Sequence, residues 1–230
     1  MKFIIGKKIE MTQVWQEGKV VAVTKVLVNP CTVVQVKNVD KDAYMAVQLG
    51  YGTRQEKNIK KPQKGHFKNL NNFEFLREFR VGIGDLSRGD MFNVSSFALG
   101  DTVQASGVSK GKGFQGVVKR HGFKGTKKTH GNKDQLRMPG SIGATGPAHV
   151  FKGTRMGGRM GGDNVTIKNL EIIKIDEKEN VLYIKGAVPG ARNSYIFIMG
   201  EGNMKVVSKK DEKVENKADE KKDINNREVL

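Results

Sequence analysis

The sequence predicts a mainly-β protein: a closed or nearly closed β-barrel with a small insertion, interrupted by a long basic, glycine-rich extension. Three observations predict it. Short runs rich in β-branched residues, separated by turn formers, lie toward both ends of the chain. Between them, residues 109–163 hold 12 Lys/Arg against only Asp134 and Asp163, together with 14 of the 28 glycines. The same stretch has about eleven scattered large apolar side chains, worth roughly 1.5–3 kcal/mol each when buried. Ordering each backbone residue costs about 1–2 kcal/mol, and glycine costs most. Residues 109–163 are therefore expected to lack a core of their own and to take shape against another surface.

In chain order, residues 20–28 (VVAVTKVLV), 33–39 (VVQVKNV) and 43–49 (AYMAVQL) read as barrel strands, parted by Asn29-Pro30 and Asp40-Lys41-Asp42. Residues 62–92 form a small insertion. Residues 62–68 are loop-like, after which Phe73, Phe75, Leu76 and Phe79 cluster and Phe92 follows. A short helix and a small subdomain both remain open there. Beyond the extension, residues 165–168 alternate, 170–175 and 181–185 continue as strands around a hairpin loop at 176–180, and 195–199 (YIFIM) is the last strand. Strands on both sides make the basic stretch an excursion from the barrel, with its two ends close together. Trp15, Cys31, Met11, Met45 and Met91 are expected in the core. The expected organisation is a discontinuous barrel domain (1–108 and 164–207, with 62–92 inserted), an extension (109–163) and a disordered charged tail (208–230) carrying 7 basic and 7 acidic residues.

Composition narrows the function. The 230-residue chain has a net charge of +17 and a pI near 9.9. No run approaches the ~18–20 apolar residues of a membrane span, and no signal-peptide pattern opens the sequence. A single cysteine, Cys31, excludes an internal disulfide and a thiolate metal cluster. The expectation is a cytoplasmic protein with an anionic partner, nucleic acid first, and with no cofactor, metal, membrane or small-molecule substrate.

Gly111-Lys112-Gly113-Phe114-Gln115-Gly116 fits a dinucleotide fingerprint with Asp134 near the ribose-acid offset. Neither position follows a strand pattern, so that reading fails. A P-loop fails because Gly113 stands where Ser or Thr is needed. The glycines have another use: Gly111, Gly113, Gly116, Gly140 and Gly143 let main-chain N–H groups approach phosphates closely. Lys110, Lys112, Lys119, Arg120, Lys127, Lys128, Arg137, Lys152, Arg155 and Arg159 would neutralise the charge, and His121, Phe123, His130, His149 and Phe151 offer rings for stacking on unpaired bases. The four histidines lack metal-ligand spacing, and no nucleophile–base or paired-acid pattern marks an enzyme. Two alternatives are an RNA-processing enzyme using His130 with a lysine, and a transient RNA-binding assembly factor.

Several segments together resemble one family. Residues 6–12 (GKKIEMT), 109–120 (SKGKGFQGVVKR), 129–131 (THG), 139–143 (PGSIG), 151–161 (FKGTRMGGRMG) and 185–191 (KGAVPGA) are similar to the universal large-ribosomal-subunit protein three family in its bacterial form, over roughly residues 1–200. Glu10, Gln104 and Ala144 depart from the family pattern; Ala144 stands where some members carry a methylated glutamine. The resemblance implies a translation-factor-like barrel with an extension threading ribosomal RNA toward the peptidyl transferase centre. It also implies direct binding of 23S rRNA, a part in starting subunit assembly, and contacts with the fourteenth and nineteenth large-subunit proteins. His121 and His130 join the ten basic residues above as rRNA-binding candidates. An out-and-back segment of 55 residues reaches at most ~90 Å at ~3.3 Å per residue.

Overall fold

The computed structural model describes residues 1–82 and 86–206. It divides into two compact units, Met1–Gly107 with the described residues from Val165 onward, and Val108–Asn164.

The first unit is built on a closed six-stranded barrel of β1 (Lys2–Gln16), β2 (Lys19–Leu27), β7 (Thr102–Val108), β10 (Asn164–Asp176), β11 (Val181–Lys185) and β12 (Tyr195–Gly200), in the order β1-β12-β7-β10-β11-β2. Strand β1 closes it. Its first half pairs with β12 (Ile4 opposite Ile198) and its second half with β2 (Val14 opposite Val21), with a bulge between Lys8 and Glu10. Pleat alternation then sorts the side chains. Ile4, Val26, Val103, Ala105, Ile172, Leu182, Ile184, Ile196 and Ile198 are all buried within one core. Gly6 lies opposite Ile196, and a Cβ there would stand 2.5 Å from Val26 Cγ1.

The opposite face of β1 and β12 carries a second sheet, ordered β5-β4-β3-β6, from β3 (Cys31–Lys37), β4 (Ala46–Tyr51), β5 (Phe75–Phe79) and β6 (Met91–Phe92). Phe3 reaches Phe79 (5.1 Å between centroids) and Phe92 (5.8 Å), while Phe197 packs on Phe75 and Phe79. The stretches 33–39 and 43–49, expected as barrel strands, instead supply most of β3 and β4 of this sheet, through residues 33–37 and 46–49. Its other face holds a satellite core of Val34, Ile59, Phe67 and Phe73, so β3 and β4 are covered on both sides and bury consecutive residues at 31–34 and 49–51. Residues 62–92 supply most of the short helix α2 (Lys61–His66) and the strands β5 and β6 that complete the sheet. A further turn of helix, α1 (Val39–Asp42), links β3 to β4.

Two of the six barrel strands, β1 and β7, have no counterpart in the sequence expectation. Residues 165–168 and 170–175 are one continuous β10, with Asn169 at φ +57° inside it. The hairpin loop at 177–180 joins β10 to β11. Of the expected core residues, Cys31 is fully buried and Met91 partly so, but Trp15 (69% exposed), Met11 and Met45 face outward. Trp15 pairs with Val20 on the outer face of the β1–β2 hairpin, whereas Val14 and Val21 on the other face pack against Val23, Val181 and Tyr183. The tail at 208–230 lies outside the described residues.

Candidate nucleic-acid interface

The second unit begins with a stem. Ser109 N–H donates to Asp163 O (2.9 Å), Lys112 N–H to Met160 O (2.8 Å) and Met160 N–H to Gly113 O (3.0 Å), and β8 (Phe114–Gln115) pairs with β9 (Gly158–Arg159). Asp163 N–H also donates to Ser109 Oγ (3.2 Å), so the two ends of the segment are tied to each other. Helix α3 (Val117–His121) follows and stops at Gly122 in the left-handed region. Arg120 Nη1 donates to Met156 O (2.9 Å), and His121 Nε2 lies 3.0 Å from the same oxygen. Farther out, Thr126 N–H and Oγ1 donate to Leu136 O (3.1 Å) and Gln135 O (3.0 Å), closing a second loop.

These bonds sort the candidate residues into groups. Lys110, Lys112 and Arg159 stand along the stem; Lys119, Arg120 and His121 occupy α3, and Arg155 precedes the carbonyl that Arg120 holds. Lys127, Lys128 and His130 ride the closed loop, with Arg137 just beyond it. Lys152 is separate, beside Phe151, whose ring lies 5.4 Å from His149. All of these cations are exposed and His121 is half-buried. No ion pair among the described residues involves any of them: the six present all lie in the barrel unit. Val117 is the single buried apolar residue described in Val108–Asn164.

The glycines divide in two. At Gly161 (φ +79°) a Cβ would run into the Lys110 carbonyl oxygen, and at Gly158 it would stand 2.7 Å from Arg120 Nη1. At Gly111, Gly113, Gly116, Gly140 and Gly143 nothing lies within 4 Å. Gly113 and Gly140 have positive φ, but Gly111, Gly116 and Gly143 answer to no contact or backbone demand inside the protein. Their bare backbones are exposed.

Sequence reasoning passed over Phe114, which is 80% exposed next to Lys112 and Gly113. Its place on a two-residue strand with no facing apolar partner is a signal that no local pattern carries. A groove of about 750 Å³ beside the closed loop is lined by Phe123, Lys124, Met138 and Ile142 among others, bringing apolar walls and a cation together.

Comparison with known proteins follows the same lines. The family model described as Ribosomal protein L3 matches residues 87–181. The chain is similar to the large ribosomal subunit protein uL3 of Chlorobium limicola, 48% identical over 205 residues, covering 86% of this chain and 98% of the relative. It is 46% identical over 201 residues to the protein of that name from Carboxydothermus hydrogenoformans, with 86% and 96% covered. With the Dehalococcoides mccartyi (strain BAV1) protein, identity is 50% over 202 residues, covering 86% and 98%.

Proposed function

The chain belongs to the ribosomal protein L3 family, and from that membership we propose that it is a structural constituent of the large ribosomal subunit that binds 23S rRNA directly. The observation that carries this reading is the chemistry of residues 109–163: twelve cationic side chains without a carboxylate partner in a stretch with one buried apolar anchor. Such a segment gains little from its own packing and much from a polyanion, whose released counterions supply the driving force.

Lys110, Lys112, Lys119, Arg120, Lys127, Lys128, Arg137, Lys152, Arg155 and Arg159 neutralise phosphates, and His121 and His130 add ring and hydrogen-bond contacts. Gly111, Gly113, Gly116, Gly140 and Gly143 bring backbone N–H groups against the RNA. The protein acts without catalysis. In the cytoplasm it helps nucleate subunit assembly, sends its extension toward the peptidyl transferase centre, and meets the fourteenth and nineteenth large-subunit proteins.

Binding to a 23S rRNA domain, measured between 50 and 200 mM salt, tests the reading. With about 6–10 phosphate contacts, affinity falls by roughly 10³–10⁵ over that range. A salt slope near zero overturns it. Sucrose-gradient sedimentation separates a permanent component, which co-migrates stoichiometrically with large subunits, from a transient factor. Turnover of labelled RNA that His130→Ala abolishes would identify an enzyme instead.

A further inference from the structure

We propose that residues 54–68 form a second, rigid docking surface for the RNA phosphate backbone, on the barrel unit and separate from the extension. The identity of the polymer rests on the function proposed above; the surface itself rests on different residues.

Arg54, Lys57, Lys60, Lys61, Lys64 and Lys68 face a single acid, Glu56, within 15 residues. All six are exposed. Only Lys64 has an ion pair, with Glu56 at 2.8 Å. Averaged over the whole barrel unit this density disappears, because the acidic residues of that unit lie elsewhere in the sequence.

The stretch is held by devices that a merely solubilising loop does not need. Ile59 and Phe67 are buried with Val34 and Phe73, and the rings of Phe67 and Phe73 meet edge-on at 5.4 Å. Arg88 Nη2 donates to both His66 O (2.8 Å) and Lys68 O (3.0 Å), fastening the end of α2. His66 Nε2 lies 2.6 Å from Gln48 Oε1 on β4, and Arg54 N–H donates to Asn72 O (2.9 Å). The lysines therefore project from a backbone that is already ordered, so binding costs little further backbone entropy.

Its surface chemistry selects the partner. No large apolar side chain of residues 54–68 is exposed, and the outward residues are lysine, arginine, glutamine, asparagine and glycine with Glu56 and Pro62. Protein interfaces centre on aromatic and aliphatic residues and are depleted in lysine. With no exposed ring to stack on bases, the surface reads the phosphate backbone and not the sequence.

The test uses the full chain carrying Lys57→Ala, Lys60→Ala, Lys61→Ala and Lys68→Ala together, with a 23S rRNA domain as probe. Loss of four phosphate contacts should flatten the plot of log affinity against log salt by about three units, at 0.7–0.9 per contact. A circular-dichroism melt of the variant establishes that it is folded. A second measurement needs no variant: amine-reactive labelling of the wild-type chain should show these four lysines protected when the RNA is added. A steep wild-type slope that the variant leaves unchanged overturns this surface while sparing the extension. A flat wild-type slope defeats the proposed function itself. Protection that appears only when other ribosomal proteins are added, with RNA alone leaving the lysines reactive, also overturns it and assigns the surface to a protein.

Discussion

At Gly6 the barrel interior has no room for a methyl group, because Val26 Cγ1 occupies its place. Gly6→Ala should cost about 1–3 kcal/mol through overpacking, read as a lower denaturation midpoint with the slope unchanged. Cys31 is buried beside the Ile5 carbonyl, and burial pushes its thiol up to about 12. The native protein should then resist thiol reagents at pH 8 and react stoichiometrically once unfolded; prompt native labelling would contradict that burial. Trp15 marks the limit of residue-level reading. Hydrophobicity suggests core, but a strand hides only alternate residues, and in β1 the hidden one is Val14. Parity against Val14 and Val21 was the available signal. Trp15→Ala should leave stability within about 0.5 kcal/mol.

Strands that carry a run of β-branched or aromatic residues were legible, and those that mix charged or small residues into the pattern were not. The β10–β11 hairpin is a local pairing with a recognisable turn. Strand β1 mixes lysines, a glutamate and glutamines among its apolar residues, so no β-branched run marks it, although its second half pairs with the adjacent β2 and only its first half finds β12 at the far end of the chain. Charge alone singled out the extension, but its stem, with the Lys112–Met160 and Ser109–Asp163 hydrogen bonds, depends on residues some fifty positions apart. Gly161→Ala should break this stem: amide exchange at Lys112, Met160 and Gly162 should accelerate, while the melt of the barrel stays in place. Removing residues 125–150 takes out the closed loop and leaves the described hydrogen bonds of the stem intact. The shortened protein should retain a cooperative barrel melt and fail to support subunit assembly; loss of the melt would show that the barrel needs the loop.

Across the molecule, the two units are held by different means. The barrel unit has a shared core running from its interior into the second sheet, with the titratable Cys31 and Tyr51 within it and Tyr195 packed against it. Burial raises the pKa of Cys31 and Tyr51, and burial with Glu74 pushes Tyr195 up to about 12. In each case the unfolded chain loses its proton first as pH rises. Stability is therefore fully present below about pH 9 and declines through the range up to about 12, which urea midpoints at pH 8 and pH 10.5 will show. The extension instead has one buried apolar residue and twelve exposed cations, the pattern that its composition foretold. Its two ends are clasped at Ser109 and Asp163, between strands β7 and β10 that already lie side by side in the barrel. A segment whose two ends are clasped to each other can change its length without changing the register of the strands on either side. Residues can be gained or lost beyond the clasp in evolution without reopening the question of how the barrel closes, so the size of this segment is a trait that selection can tune by itself.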